Sequence, residues 1–495
     1  MKVCVVGAGL GGLAAAIRVQ AAGHDVVVLE QCATPGGRAG RIRDAGFTWD
    51  TGPSLLTMPW VLEDLFAADG RDVWSELALH RLDPLYRIRW AGDAEHLDFS
   101  SDVGRLREEI ARLSPRDAGA LDGYLAAIEP IYREAILGAG RRPFALDDLA
   151  RFLPTMVRTG AARSLWHLTA QHFRDERVRE AFSFHSLFIG GDPSRVPAIY
   201  AALVHLQIAD GAWYCEGGVY ALVEALARGL DVRCGASVER IEHRGGRVRG
   251  VALADGSSVG ADVVIFNGDV LRVHELTGRP APRRPLRPTM SCLLLYLGSD
   301  RRWDDALLHH TLLVGPGYRD FIADVTRRGR MPRSFSTYVH APARTEAAMA
   351  QPGGDSLCVL LPVPNLRGSV DWTAEEQHLR DVLLADLEAS FGMAGLRDSI
   401  VVEHRMTPLD FRDRLGAVDG NAFSLEPTLH QSAAFRPPNR DRRLAGLYHV
   451  GGGTHPGAGV PGVLLGAEVT ARLVVENHPG AAGRTERRDV AVAAA

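Results

Sequence analysis

Residues 3–30, VCVVGAGLGGLAAAIRVQAAGHDVVVLE, decide the architecture. Val3, Val5 and Val6 form a short apolar run of strand composition, and Gly7, Gly9 and Gly12 follow at G-x-G-x-x-G spacing before a helical-looking segment. The reading is strand, tight turn, helix, and each glycine has a mechanical task. Gly7 permits the turn, Gly9 lets the backbone approach a pyrophosphate, and Gly12 lets the helix lie close on the sheet. The start of the helix then offers free N–H groups to phosphate oxygens. A second strand over residues 25–29 runs to Glu30, which is placed to accept hydrogen bonds from a ribose 2′-hydroxyl. A 2′-phosphate would be repelled there, so FAD or NAD is favoured over NADP.

Two plainer readings compete. Lys2, an apolar stretch and the small residues Ala21, Ala22 and Gly23 have the outline of a secretory leader. The glycines of the turn would disrupt a leader helix at about 1 kcal/mol each. The second strand and Glu30 count against that reading and against a glycine-rich turn with no ligand.

The 495-residue length exceeds a single hydrophobic core, and 46% hydrophobic with 23% charged residues is an ordinary globular composition. A net charge of −4 gives no reason to expect nucleic acid. Lys2 is the only lysine, so Schiff-base chemistry or a lysine base in the interior is excluded. Cys4, Cys32, Cys215, Cys234, Cys292 and Cys358 are far apart with no zinc spacing, and are expected to be buried free thiols in a reducing cytoplasm. Residues 448–467 carry no formal charge, but their glycines and two prolines argue against a spanning helix. The expected location is the cytoplasm, with peripheral attachment to a membrane.

Outward from the fingerprint, Gly36, Gly37, Arg38, Gly40 and Arg41 suit a loop passing under a phosphate, with Arg38 or Arg41 as the cation. From residue 60 to 188 the pattern is largely helical, with strand-like pieces over 85–99. Between 144 and 188, Phe152, Leu153, Met156, Val157 and Trp166 interleave with Arg151, Arg158 and Arg163. That is the composition of a helix lying on an anionic membrane surface, or of a buried face with an arginine rim. Residues 219–227 read as a helix, 232–241 as strand material, and 261–267 as a buried strand, with turns at Gly245-Gly246 and Asp255-Gly256. After a proline and arginine link at 280–288, residues 292–297, 311–314 and 356–361 read as strands and 375–391 as a helix. Residues 447–450 form a last strand running into a glycine-rich loop, and Gly462 with Val463 opens a helix to about residue 475.

The expected fold is α/β: a discontinuous Rossmann-type FAD-binding domain with an inserted α+β substrate domain and a helical, membrane-facing subdomain. The expected boundaries are 1–65, 211–275 and 440–477 for the FAD-binding domain, 66–210 for the helical region, 276–439 for the α+β region, and 478–495 for a disordered tail.

Together these segments resemble the bacterial carotenoid (phytoene) desaturase family, flavoproteins of the glutathione-reductase-like superfamily that includes amine oxidases. The resemblance spans residues 2–476. Its most specific element is YHVGGGTHPGAGVPGV at 448–463, supported by DTGPS at 50–54, LHHT at 308–311, YVHAP at 338–342, LPVPN at 361–365 and FRPP at 435–438. It implies tightly held FAD, with Arg38 by the pyrophosphate, Val238 giving backbone contacts to the adenine, and Thr454, Gly462 and Val463 near the ribityl chain and ring. The chain departs from the family pattern at Cys215, where proline is usual, at Gly452, where alanine is commoner, and in a shorter connection between Ala227 and Val232.

The resemblance further implies a hydrophobic polyene substrate, hydride transfer from an allylic carbon to flavin N5, then loss of a proton. Electrons would pass to dioxygen or a membrane quinone. His309, His310 and Asp50 are candidate bases by residue type; structural hydrogen bonding is the competing role for each, so the catalytic residue stays unassigned. Within the family the substrate could instead be another carotenoid, hydroxylated, methoxylated or shorter-chain, and a flavin amine oxidase and a non-catalytic prenyl-lipid-binding protein share the expected fold. Many amine oxidases place a lysine near N5, which this interior lacks, and the intact fingerprint with Glu30 argues against a purely lipid-binding role.

Overall fold

A computed structural model describes residues 1–143, 146–282 and 285–479; the expectation of a disordered tail falls, from residue 480 onward, outside these residues. A five-stranded parallel sheet has the order Leu447–His449, Val263–Phe266, Lys2–Val6, Asp25–Glu30, Asp231–Cys234. Its central strand is covered on both faces, which explains why Val3, Cys4 and Val5 form a continuous apolar run rather than an alternating one. The helix Leu10–Ala21 crosses one face, and Ala14, Ala15 and Ala16 are small enough to bring it close. The last helix, Val460–Asn477, packs against it. The two ends of the chain thus share one layer of the fold. The turn read at Gly245-Gly246 joins Val238–Arg244 to Arg247–Leu253, and both glycines have positive φ, 58° and 72°.

A second, seven-stranded sheet has the order Ile400–Met406, Ser291–Ser299, Asp355–Val363, Thr337–His340, His310–Val314, Tyr86–Trp90, His96–Phe99. Every residue of Ser291–Ser299 is buried. The last two strands come from the stretch read as mostly helical and complete the sheet built by residues 291–406. Tyr86–Trp90 joins in parallel to His310–Val314, with Leu312 opposite Ile88. The helices Val103–Leu113, Leu121–Tyr132, Leu165–His172 and Glu176–Ser183 pack onto that sheet in one apolar core. The helix read at 375–391 spans Trp372–Ser390 and starts where the Asp371 carboxylate accepts from the Thr373 N–H.

All six cysteines are unpaired. Cys4, Cys215, Cys292 and Cys358 are buried as expected, whereas Cys234 is exposed because it ends an edge strand. Among the described residues no helix is long and apolar enough to cross a membrane.

Candidate functional site: a cavity between the two sheets

The glycine turn is held by its neighbours as tightly as its sequence suggests. Gly7, at φ 98°, donates its N–H to the Leu29 carbonyl at 2.7 Å. A Cβ on Gly12 would lie 2.1 Å from the Gly7 carbonyl oxygen, so this position admits no side chain while the helix keeps its place. Glu30 clamps the same turn: its two carboxylate oxygens accept from the Ala8 N–H at 2.8 Å and the Cys32 N–H at 2.9 Å. Each oxygen can accept a second hydrogen bond, and Glu30 lines the adjoining cavity. Asn267 completes the clamp. Its amide donates to the Gly7 carbonyl at 3.2 Å and would stand 2.9 Å from a Cβ on Gly11 or Gly12.

Arg38 reaches into the cavity and donates to the carbonyl and side-chain oxygens of Asn421 at 3.3 and 3.2 Å. Asn421 in turn donates to Asp269 at 2.7 Å. Asp50, a candidate base by residue type, has a different task. Its carboxylate accepts from the N–H groups of Val219 and Tyr220 at 3.0 and 3.2 Å, capping the helix Val219–Ala227. Burial pushes its pKa up to about 7.

The cavity, about 720 Å³, joins the glycine turn to the seven-stranded sheet. Of the expected cofactor residues, Gly7, Gly9, Glu30, Gly37, Arg38, Val238, Gly462 and Val463 line it. Gly12 and Thr454 lie behind its wall; the Thr454 hydroxyl donates to the Gly451 carbonyl at 3.0 Å and so holds the glycine-rich loop. The far wall is formed by side chains such as Ile88, Leu294, Leu312 and Leu360, and the mouth by Tyr200, Leu429 and Phe435. His310 lines the cavity and His309 lies behind it; burial lowers both imidazoles, His309 to about 3.

The match to known proteins agrees with this geometry. The family described as flavin containing amine oxidoreductase matches residues 10–475. The lycopene-forming phytoene desaturase of Pantoea ananas is 39% identical over 488 residues, covering 96% of this chain and 99% of the relative. The chain belongs to the bacterial phytoene desaturase family. The zeta-carotene-forming phytoene desaturase of Myxococcus xanthus is 37% identical, covering 96% of this chain and 94% of the relative. An oxidoreductase from Methanosarcina mazei has the same fold, with a TM-score of 0.63, 19% identity, and coverage of 96% and 100%.

Membership of the desaturase family makes this an FAD-dependent oxidoreductase, and the site fits that cofactor. A backbone turn free of side chains, a helix N-terminus, an acidic residue at the end of the second strand and an arginine facing the cavity supply what a dinucleotide requires. Asn267 and Asn421 were not among the residues singled out in the sequence. Each makes its key contact with a residue more than 250 positions away in the chain, and the sole local signal was Asn267 following a buried strand.

Proposed function

We propose that this protein introduces carbon–carbon double bonds into an acyclic carotenoid precursor, with phytoene as the first substrate to test. The observation that carries the reading is one cavity running from the dinucleotide cradle into an apolar chamber floored by the seven-stranded sheet. The names of the relatives from Pantoea ananas and Myxococcus xanthus support the same substrate class. When bound, FAD supplies the hydride acceptor that a hydrocarbon without a neighbouring carbonyl needs.

The chain's own residues bind and orient. Gly7 and Gly9 give the pyrophosphate close access to backbone N–H groups, and Gly12 keeps the helix seated against the turn. Glu30 would hold the adenosine ribose, Gly37 and Arg38 the pyrophosphate, and the backbone of Val238 the adenine. Gly462 and Val463, in the first turn of the last helix, which begins at Val460 rather than at Gly462, would face the flavin, and Thr454 fixes the loop before it. Around the substrate, Ile88, Leu294, Leu312 and Leu360 exclude water and hold an apolar chain in one alignment.

The mouth of the cavity opens beside a surface suited to lipid. Leu429 and Phe435 are about half exposed there, and Met156 of the helix Leu146–Thr159 lines the same cavity. One turn apart on that helix, Leu153 and Val157 are 54% and 74% exposed, with Arg151 and Arg158 beside them. This amphipathic face would dock on an anionic membrane from which the substrate enters. Electrons then pass to dioxygen or to a membrane quinone, which oxygen uptake and quinone reduction in liposomes would separate.

Expression in a phytoene-accumulating bacterium tests the function. Extracts should turn coloured as the conjugated system lengthens. Unchanged phytoene together with amine turnover and hydrogen peroxide would overturn the reading in favour of an amine oxidase.

A further inference from the structure

The cavity wall carries a file of polar groups that the cofactor contacts do not use. His310 and His340 sit opposite each other on neighbouring antiparallel strands, as do Leu312 and Tyr338. His310, Tyr338 and His340 therefore share one face of the sheet. Ser54, two residues past Gly52, stands where the glycine-rich half meets this sheet. Its hydroxyl lies 2.7 Å from the Tyr338 hydroxyl, which lies 2.5 Å from His310 Nδ1. Ser54, Tyr338 and His310 all line the cavity.

Behind them, His340 Nε2 lies 3.2 Å from His309 Nε2, and His309 Nδ1 lies 2.6 Å from the hydroxyl of Thr345. Thr345 is exposed. One ring nitrogen from each of the three histidines falls within 4.8 Å of the others, and His310 Nε2 is buried with no hydrogen-bond partner. Exchangeable groups thus run from the chamber to solvent.

We propose that Tyr338 and His310 receive the proton that leaves the substrate, and that His340, His309 and Thr345 pass it to solvent; this rests on the desaturase reading above. Desaturation breaks two C–H bonds. The electron pair of the first leaves as hydride to the bound flavin, which is the oxidant. The neighbouring carbon of the resulting polyene cation then loses a proton, and the electrons of that bond become the new double bond. The proton passes to the Tyr338 oxygen as the hydroxyl proton of Tyr338 moves to His310 Nδ1. The imidazolium gives up its Nε2 proton toward His340 and His309, each of which has a ring nitrogen within 4.8 Å of one of its own.

Burial lowers His309 to about 3 and holds His310 and His340 well below the ordinary imidazole value. So weak a base could not take a proton from a neutral hydrocarbon. A C–H beside an allylic cation is a strong acid, however, and needs only an acceptor that is neutral when the cation forms. The same shift keeps the rings neutral near pH 7 and makes any imidazolium short-lived, which speeds onward transfer.

Three imidazoles, two with Nδ1 held by an oxygen, also have the outline of a divalent-cation site, which would consume the same lone pairs. The test mixes FAD-loaded wild type, H310Q and Y338F anaerobically with phytoene in liposomes. Flavin bleaching reports loss of the first C–H bond, pigment extraction reports the double bond, and mass spectrometry reports cation captured by water. Bleaching in both variants should stay within about threefold of wild type while double-bond formation falls about 100-fold and hydroxylated polyene accumulates. In flavin-free protein, the ¹⁵N resonance of His310 Nδ1 should move in Y338F. Double-bond formation that keeps pace with bleaching in both variants, or a stoichiometric metal ion in the wild type, overturns the relay. Failure of phytoene to bleach the wild type overturns the desaturase reading itself.

Discussion

Single atoms decide the cofactor end of the cavity. Glu30 is placed to do two things at once, because the carboxylate that lines the cavity, and that we propose takes the ribose, also takes the N–H groups of Ala8 and Cys32. Glu30→Ala should therefore weaken FAD by about 1–3 kcal/mol and also destabilise the flavin-free protein by a similar amount, since the buried Ala8 donor and the half-buried Cys32 donor lose their acceptor. Equilibrium dialysis and thermal melts without FAD measure the two effects separately. Gly12→Ala has no such division: a methyl 2.1 Å from the Gly7 carbonyl must push helix from sheet, at a cost of about 1–3 kcal/mol or more, with loss of the flavin absorption band. Asp50 gives a pH signature. Burial raises its folded pKa to about 7, above the ordinary carboxylate value near 4, so the native state holds the extra proton between these values and stability falls as pH rises from about 4 to about 7. Asp50→Asn keeps one acceptor and cannot ionise. Relative to wild type it should be less stable at pH 5 by on the order of 1 kcal/mol and recover by pH 8, read as urea midpoints. The glycines and Glu30 were legible in the sequence because their constraint is local, a turn and the end of the next strand. Asp50 was not legible as a helix cap, because the N–H groups it holds are 169 and 170 residues away.

At the scale of elements, a strand or helix is fixed by what it meets, and that is where reading by pattern stops. The periodicity of residues 375–391 was enough to find the helix Trp372–Ser390. No pattern in Tyr86–Trp90 indicates that it runs parallel to His310–Val314, and so the reading of 66–210 and 276–439 as separate regions divides strands that belong to one sheet. The helix Leu146–Thr159 left two readings open in the sequence, and the exposure of Leu153 and Val157 bears on that choice. Replacing both with glutamate should lower binding to anionic vesicles at least tenfold while leaving the flavin band unchanged, with vesicle co-sedimentation as the measurement. The entry to the strand Leu447–His449 is pinned by Asp441, which accepts two bonds from Arg279, at 3.0 and 2.8 Å, and one from the Arg443 N–H. Although burial opposes it, these partners and His449 hold Asp441 well below the usual carboxylate range. Its stabilising contribution is complete above the unfolded value near 4 and is lost as pH falls below it. Asp441→Asn should cost about 2–3 kcal/mol at pH 7, and the difference from wild type should shrink below pH 4.

Over the whole molecule, the cavity is the place where two sheets, each assembled from distant segments, face one another. Ligand binding there touches both halves. Saturating FAD should raise together the unfolding midpoints of near-UV signals from Trp60, packed on the core of the parallel sheet, and Trp90, in the seven-stranded sheet, by about 2.7 kcal/mol at 100 times the dissociation constant. A shift confined to one half would mean that the cavity does not couple them. The central strand Lys2–Val6 is synthesised long before its neighbour Val263–Phe266, which is completed in turn by Leu447–His449, and the helix over it is braced by Val460–Asn477. At 5–20 residues per second, the opening segment waits on the order of 20–90 s for its last structural neighbours. Until residues 447–477 are made, the nascent protein carries an open β-edge at Val263–Phe266 and an uncovered face on the helix Leu10–Ala21, surfaces that a chaperone would have to shield during synthesis.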